Sequence, residues 1–222
     1  MKIKVKKIYV SWRKGKGSRR KMVGVIERTA TNGITFKYIE TEVVEAQKEG
    51  FKEYPGFPIP EKMDHVYNEN DLDIFALRLI PFERKDNKHL LDFWEAEGIE
   101  DKYDLLAMTQ GLLPTDNFEL LGLFNPYRDF KFVTDLAGLS HLELESNTVQ
   151  AGDVLTYIFE DNIHAYQNKA VKVFKGEHHV GYIKNIHNHI FQVSNRRLMI
   201  TVKEVEQNGI IKNIFVRVSC CN

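Results

Sequence analysis

Cysteine is nearly absent from this sequence: among 222 residues only Cys220 and Cys221 are cysteines, and they are adjacent. Neighbouring cysteines seldom form a structural disulfide, so we expect a protein of a reducing, cytoplasmic compartment. There is no run of eighteen apolar residues, and no apolar signal region follows Met1 to Lys4. The sequence therefore predicts neither a membrane span nor a secretory leader.

Catalytic and nucleotide-binding motifs are also missing. The sequence holds no G-x-x-x-x-G-K-[ST] phosphate loop, no G-x-S-x-G nucleophile turn, no kinase catalytic loop H-x-D-x-x-x-x-N and no D-F-G. Ser140 and His141 are neighbours in the sequence, whereas a catalytic pair must be close in space. We therefore predict a protein that is not an enzyme and needs no cofactor.

Histidine is the residue type that raises the question of a metal. His178, His179, His187 and His189 lie close together in the sequence, and imidazole is a common zinc ligand. No cysteine or acidic residue joins them at a recognised interval, and two of the four lie at a predicted hairpin. The pattern thus favours the absence of a metal site.

Charge is balanced overall but unevenly distributed. The formal net charge is zero, yet residues 1–37 carry 12 Lys or Arg and one acid, residues 38–120 carry 8 and 20, and the remainder carries 11 and 10. A basic beginning can attract phosphate backbones or an acidic partner. Basic strands and acidic helices that neutralise each other within one fold would give the same pattern, so both interpretations stay open.

The N-terminal half combines short strands with short helices. Apolar residues alternate with lysines from Lys2 to Trp12, as in a strand with one buried face, and a glycine-bearing basic loop follows over Arg13 to Lys21. Three prolines within residues 54–60 exclude a helix there. We further predict strands over 22–27, 34–39 and 118–124, and helices over 40–49, 71–80, 89–97 and 102–110.

Three motifs of this half resemble the N-terminal subdomain of HipA-type proteins. They are Val23-Gly24-Val25-Ile26, Gly33-Ile34-Thr35-Phe36-Lys37-Tyr38 and Tyr103-Asp104-Leu105-Leu106, which match the family's V-G-x-L, G-x-x-x-F-x-Y and F-D-L-L. Phe57-Pro58-Ile59-Pro60 stands in for its P-L segment, whereas residues 76–81 replace its acidic-Asn-Leu-Leu-P stretch. The resemblance covers roughly residues 5–121 and implies a partner-facing α+β domain without a kinase core.

The C-terminal half is organised around residues 151–186. Three apolar or β-branched runs over 154–159, 170–174 and 180–183 predict strands, and Lys175-Gly176-Glu177 predicts the tip of a hairpin. Between the first two runs lies a polar crossing in which Tyr166 would hold an aromatic ring out to solvent.

This order of motifs resembles the HIRAN domain, a small β-barrel module. The family's loop N-P-Y-D-x-N-A-[IV]-x-V corresponds to His164 through Val173, and its [IV]-G-[HY]-[LI] corresponds to Val180 through Ile183. Ala137 through His141 is similar to the A-G-x-x-[HY] strand that opens the family. The resemblance covers roughly residues 131–219 and implies binding of single-stranded DNA, notably of its 3′ ends.

The resemblance also implies roles for individual residues. It makes Tyr166 a base contact. It also assigns a contact to Tyr182, at the position where the family has His or Tyr. Both rings could instead merely cover the barrel. Gln167 stands where the family has an Asp that contacts the strand end, which puts strict 3′-end selectivity in doubt. Single-strand binding also needs cations beside the rings. The predicted cationic contacts are Lys169, Lys184, Arg196 and Arg197.

We therefore predict an α+β protein of two domains. Residues 1–124 would form a HipA-N-like small sheet with packed helices, and residues 125–222 a six-stranded HIRAN-like β-barrel with short helices. The preferred function is non-enzymatic binding of DNA, single-stranded or at its ends, in bacterial DNA repair, phage defence or a toxin–antitoxin-like system. The alternative is a protein-interaction or antitoxin-like module that docks a HipA-type kinase core. The residues predicted to contact a partner or phosphate are Arg13, Lys14, Arg19, Arg20 and Lys21.

Overall fold

The computed structural model of the chain describes residues 4–68, 73–82, 87–113, 115–163 and 165–220, with the backbone alone for residues 80–82 and Tyr166. The beginnings of the predicted first strand and of the predicted 71–80 helix, together with His164 and Cys221, lie outside the described residues. The chain divides into two compact units, residues 1–92 with 96–123 and residues 93–95 with 124–222. Each unit holds one β-sheet, and the protein is of the α+β class.

The first unit is built on a four-stranded antiparallel sheet in the order β3-β2-β1-β4. Its strands are β1 (Lys7–Trp12), β2 (Lys21–Thr29), β3 (Gly33–Tyr38) and β4 (Phe118–Gly122). β1 lies inside the sheet because its Ile8 pairs with Ile26 on one side and with Gly122 on the other. All four strands were predicted, although β4 ends two residues earlier than expected.

Short helices lie in this half of the chain: α1 (Glu40–Gln47), α2 (Asp73–Ala76), α3 (Lys88–Phe93) and α4 (Lys102–Thr109). Phe93, the last residue of α3, is grouped with the second unit. The helix predicted over 71–80 is interrupted, because α2 gives way to a 3₁₀ turn over Leu77–Phe82. Pro81 has no amide hydrogen to donate to the carbonyl of Leu77, so an α-helix cannot continue through it. The helix predicted over 89–97 ends early, at Phe93.

Aromatic rings fill the space between this sheet and the proline-bearing segment. Phe36 of β3 lies among them, with its ring centroid 5.0 Å from that of Phe57 and 5.5 Å from that of Phe75. The Tyr38 hydroxyl donates a hydrogen bond to the carbonyl of Phe57 and accepts one from the amide of Tyr54. The prolines thus hold a non-helical segment whose aromatic residues belong to the core.

A buried arginine ties the 3₁₀ turn to the rest of this unit. Arg78 is 3% exposed, and its guanidinium donates to the Tyr54 hydroxyl, to the Gly111 carbonyl at 2.6 Å and to the Asp116 carboxylate. A buried guanidinium is stable only when its donors are satisfied in this way. Residues 76–81, which depart from the HipA-type pattern, therefore stabilise the core through Arg78. This role was not predicted from the sequence.

The Tyr-Asp-Leu-Leu motif of α4 also has a structural role. The Tyr103 hydroxyl donates to the carbonyl of Ile26 at 2.9 Å. The Asp104 carboxylate accepts from the amide of Val5 at 3.0 Å and from Arg28 at 2.6 Å. Burial raises the pKa of Asp104, and these two hydrogen bonds offset part of that rise. The motif thus fastens α4 to β2 and to the residues before β1.

The second unit is a curled six-stranded half-barrel in the order β5-β10-β9-β6-β7-β8. Its strands are β5 (Lys131–Asp135), β6 (Val154–Asp161), β7 (Lys169–Lys175), β8 (His178–Tyr182), β9 (Leu198–Asn208) and β10 (Ile210–Cys220). The three predicted strands became β6, β7 and β8, and Gly176, with φ 58°, turns the predicted hairpin. One helix, α5 (Asn185–Val193), follows β8.

An isolated bridge between Ala137, which follows β5, and Tyr182 of β8 links the two edges of this sheet. The amide of Ala137 donates to the carbonyl of Tyr182 at 2.7 Å, and the amide of Tyr182 donates to the carbonyl of Ala137 at 2.9 Å. Gly138 follows with φ 83°, and a Cβ there would lie 3.2 Å from the Tyr182 ring. The predicted opening strand over Ala137 to His141 is therefore one bridging residue and a 3₁₀ turn over Leu139–His141, and β5 opens the unit instead.

Candidate nucleic-acid interface

The loop between β6 and β7 carries two of the predicted DNA contacts, Tyr166 and Gln167, and a third, Lys169, is the first residue of β7. The loop ends in a non-helical turn over Tyr166–Asn168, in which Gln167 and Asn168 have left-handed backbones with φ of 49° and 57°. The amide of Asn162 donates to the carbonyl of Asn168 at 2.8 Å, which closes the loop. Gln167 and Lys169 are exposed, whereas the side chain of Tyr166 lies outside what the structure describes.

Aromatic rings surround a lysine on the outer face of β6, β7 and β8. Lys172 is in register with Tyr182, so the two side chains share one face of the sheet. The Lys172 ammonium lies 5.9 Å from the ring centroid of Tyr182 and 6.0 Å from that of Phe174. The ring of His179 meets that of Tyr182 edge-on, with 4.8 Å between centroids. We call Glu160, Lys172, Phe174, His179 and Tyr182 the Tyr182 face.

Glu160 fixes the orientation of this cluster. Its carboxylate accepts a hydrogen bond from the Tyr182 hydroxyl at 2.8 Å and one from the Lys172 ammonium at 2.7 Å. The bond from Lys172, followed by that from Tyr182, holds the pKa of Glu160 below its usual value. Burial and the bond to Glu160 raise the pKa of Tyr182. At neutral pH the face therefore presents a protonated phenol, a lysine and a carboxylate that offsets the lysine's charge.

A groove borders the Tyr182 face, because β6 separates from β9. The two strands pair only at Val154 and Leu155. Beyond these residues a groove lies between β6 and Arg197 to Met199. Thr156, which lines the groove, is in register with Phe174, and Ile158 is in register with Lys172, so these side chains share one face of the sheet. Ile158 is 54% exposed, which adds an apolar surface at this point.

Lys184 is buried rather than presented to solvent. It is 2% exposed, and its ammonium pairs with the carboxylate of Asp135. An ammonium in the interior is stable only beside such a partner. Contrary to the prediction, Lys184 is not positioned to contact a phosphate. In a continuous strand Lys184 would share a face with Tyr182, two residues earlier. It does not, because β8 ends at Tyr182 and the chain turns into α5.

The remaining predicted cations of this unit differ in their pairing. Lys169 pairs with Asp161 directly across the strands, and Arg196 pairs with Asp129. The hydrogen bond to Asp129 raises the pKa of Arg196, which keeps that guanidinium charged. Arg197 is exposed, and no ion pair holds it within the ranges that the structure covers. Arg197 is thus the predicted cation best placed to meet a ligand, at the wall of the groove.

The basic loop between β1 and β2 is largely engaged inside the first unit. Arg20 forms two bonds to the Glu119 carboxylate, at 2.6 and 2.7 Å, and Arg13 lies 3.5 Å from the same group. Lys21 is buried and pairs with Glu49 at 2.8 Å. These three residues, predicted as contacts for a partner or phosphate, have internal partners instead.

Two predicted residues of that loop face solvent. Lys14 and Arg19 are exposed, on either side of Gly15 and Gly17. Their charges are available to a ligand or to a protein partner.

The fold disperses the histidines that were close in sequence. His187 is buried and packs its ring 4.7 Å from that of Phe132, whereas His179 belongs to the Tyr182 face and His178 is exposed. Across the described ranges, no three His, Cys, Asp or Glu side chains come together in a way that could hold a metal ion.

Sequence reasoning identified Tyr182 but missed the neighbours that surround it. The Gly176-Glu177 hairpin tip would by itself place Lys172 opposite Gly181. A bulge between Val173 and Phe174 shifts the register by one residue, and Lys172 meets Tyr182 instead. The pairing that builds the Tyr182 face therefore depends on an irregularity that the alternation pattern does not contain.

Comparisons with protein-family models, with curated proteins and with solved structures find no match to this chain. Within the part of the chain that the structure covers, no helix is both long and apolar enough to cross a membrane.

Proposed function

We propose that this chain binds single-stranded nucleic acid, DNA in the first instance, through the Tyr182 face and the adjacent groove. The observation that supports this is the pair of aromatic rings within about 6 Å of the Lys172 ammonium on the outer face of the sheet. Binders of single strands combine rings that stack on bases with cations that hold phosphates. The HIRAN resemblance, which includes Tyr182, implies the same class of ligand.

The proposal assigns a role to each group. A base stacks against the ring of Tyr182 or Phe174, and a phosphate bonds to Lys172 in competition with Glu160. Arg197 contacts a second phosphate from the wall of the groove. No catalytic step and no cofactor are involved. The setting is the one that the two resemblances imply: bacterial DNA repair, phage defence or a toxin–antitoxin-like system.

The test is fluorescence anisotropy of a short labelled single strand at low salt. Tyr182→Ala should weaken binding by about 1–3 kcal/mol, the usual contribution of one stacked base. Lys172→Ala should weaken it through a lost phosphate contact, and Tyr182→Phe should bind nearly as the wild type does. The matched control is Lys212→Ala, which removes an exposed lysine from β10 of the same unit.

Unchanged binding by both Tyr182→Ala and Lys172→Ala would overturn the proposal, as would absence of binding by the wild type. Because the ring of Tyr182 lies against Gly138, beside the bridge that joins the edges of the sheet, circular dichroism should first show that Tyr182→Ala is folded. Lys172→Ala keeps that ring in place and decides the matter alone if Tyr182→Ala is not folded.

A second candidate function is docking of a protein partner by the first unit. The exposed charges of Lys14 and Arg19 favour it, and the HipA-type resemblance points to a kinase core of that family as the partner. Under this alternative, calorimetry should detect binding to such a core, and Lys14→Glu with Arg19→Glu should abolish it. The same double variant should leave single-strand binding unchanged under the first proposal.

A further inference from the structure

Three cations converge on one carboxylate on the outer face of β5, β9 and β10. The Glu95 carboxylate lies 2.6 Å from the ammonium of Lys131, 2.9 Å from that of Lys203 and 3.6 Å from the guanidinium of Arg217. We call these four residues the Glu95 cluster. Three cationic side chains thus share one carboxylate.

The strands present these cations for identifiable reasons. Arg217 lies between Val216 and Val218, whose burial sends the intervening side chain to the outer face. Lys203 is the extra residue of a bulge, because pairing passes from Val216 with Val202 directly to Phe215 with Glu204. A bulge re-aims the side chain it carries. Here it brings the Lys203 ammonium to the same carboxylate as Arg217.

The carboxylate comes from a short segment, Phe93–Glu95, that belongs to the second unit. The rings of Phe93 and Trp94 pack on Phe215, with centroids 5.3 and 6.1 Å away. Glu95 has a left-handed backbone, φ 56°, which is unfavourable for a residue with a Cβ and is retained only where surrounding contacts impose it. The segment therefore places a carboxylate and two aromatic rings against β9 and β10. A nucleotide has the same two chemical features, an anion beside an aromatic ring.

Glu95 stays charged at neutral pH. Burial alone would raise its pKa, but hydrogen bonds from Lys131 and Lys203 more than offset that effect, and its pKa lies below the ordinary value. A charged group held in the same chain competes with outside anions at an effective concentration on the order of millimolar. An outside anion must displace it to reach the three cations.

We infer that the Glu95 cluster is a second binding site for the phosphodiester backbone of a single strand, occupied in this structure by the chain's own carboxylate. A phosphate can accept the hydrogen bonds that Lys131 and Lys203 donate to Glu95, and it can pair with Arg217 as that carboxylate does, so displacement of Glu95 keeps the cations paired. Displacement of the neighbouring rings exposes Phe215 to a base. The class of ligand rests on the proposed function, but the site lies on other strands and can succeed or fail separately.

The experiment is a salt titration of labelled single-strand binding by Glu95→Gln, which removes the competing charge and keeps the side chain's size. We expect about tenfold tighter binding than by the wild type at low salt. The slope of log K against log salt should become steeper by about 0.7 for each phosphate newly contacted. Adding Arg217→Gln should remove most of the gain.

The matched control is Glu204→Gln, which makes the same change of charge at an exposed position next to Lys203. If Glu95→Gln gains no more than this control, the gain reflects overall charge and the inference is overturned, whatever the wild type does. A gain that needs Arg217 but persists in Tyr182→Ala supports the inference even if the Tyr182 face does not bind. If Glu95→Gln is unstable, Glu95→Gly, whose backbone suits a φ of 56°, gives the same test.

Discussion

His179 gives the Tyr182 face a charge that appears only in acidic solution. Its Nε2 lies 3.1 Å from the carbonyl oxygen of Gly181, and its ring stands against Tyr182. Burial, and then the charge of Lys172, lower the pKa of His179 from the ordinary value of 6.5, while the Gly181 carbonyl and Glu160 oppose that effect. His179 is therefore neutral at pH 7 and becomes a cation only in more acidic solution.

Single-strand affinity should consequently rise as the pH falls from 7 to about 5. A bound phosphate favours the imidazolium, so binding takes up a proton and is strengthened by acid. We expect a gain of roughly threefold to tenfold, the size of one added charge contact near the surface. His179→Gln should bind like the wild type at pH 7 and show a flat profile. Anisotropy at constant ionic strength measures this, and a flat wild-type profile would contradict the prediction.

At the scale of the element, α4 depends on a capping aspartate. The Asp101 carboxylate accepts a hydrogen bond from the amide of Asp104 at 3.0 Å and also pairs with Arg28 at 2.6 Å. Asp101→Ala should lower the free energy of unfolding by about 1 kcal/mol, since loss of a cap costs about 0.5–2 kcal/mol. Asp101→Asn keeps a capping oxygen and should lose much less in urea unfolding. Equal losses in both variants would assign the effect to the ion pair with Arg28.

Elements whose residues follow one regular pattern were predictable from the sequence. The alternation in β1 and the apolar runs of β6, β7 and β8 each placed a strand. Glycine at position 24 has a steric explanation, because a Cβ there would lie 2.4 Å from the ring of Phe36 on the neighbouring strand. The Asn208-Gly209 pair between β9 and β10 is a strong hairpin signal that the prediction did not use.

Features that join distant or irregular positions could not be predicted. The bulge at Val180 of β8 decides that Lys172 meets Tyr182, and no alternation reveals it. Lys184 has the spacing of an outer-face residue, but its burial depends on Asp135, which lies far away in the sequence. The same holds for Arg78, whose partners are Tyr54 and two residues of the connection between α4 and β4. The candidate site was therefore predicted at Tyr182 but not in its composition.

At the scale of the molecule, charges that are segregated in sequence meet in the fold. The basic beginning of the chain pairs with the acidic stretch that follows it, as Arg20 does with Glu119 and Lys21 with Glu49. The interpretation in which the two stretches neutralise each other thus accounts for much of the basic loop. Residues 1–120 together carry 20 Lys or Arg and 21 acidic residues, so this part of the chain is close to neutral as a whole.

Single-strand binding by the wild type should accordingly depend only weakly on salt. With Lys172 and Arg197 as the main phosphate contacts, we expect two to three contacts and a slope of log K against log salt of about −1.4 to −2.1, at about 0.7 per phosphate. A titration from low to moderate salt measures the slope. A value steeper than about −4 would indicate a much wider basic surface than the Tyr182 face.

The order of strands in the second unit also determines when its sheet can be completed during synthesis of the chain. β5, its first strand, pairs with β10, so Lys131 finds its partner only in Ser219, 88 positions later. At about 5–20 residues per second, a ribosome needs roughly 4–18 s to cover that distance. Throughout this interval the nascent β5 has an unsatisfied edge and an apolar side, which chaperones or neighbouring chains can reach. Slow translation over residues 136–218 would therefore lengthen the period in which this protein is most prone to misassemble.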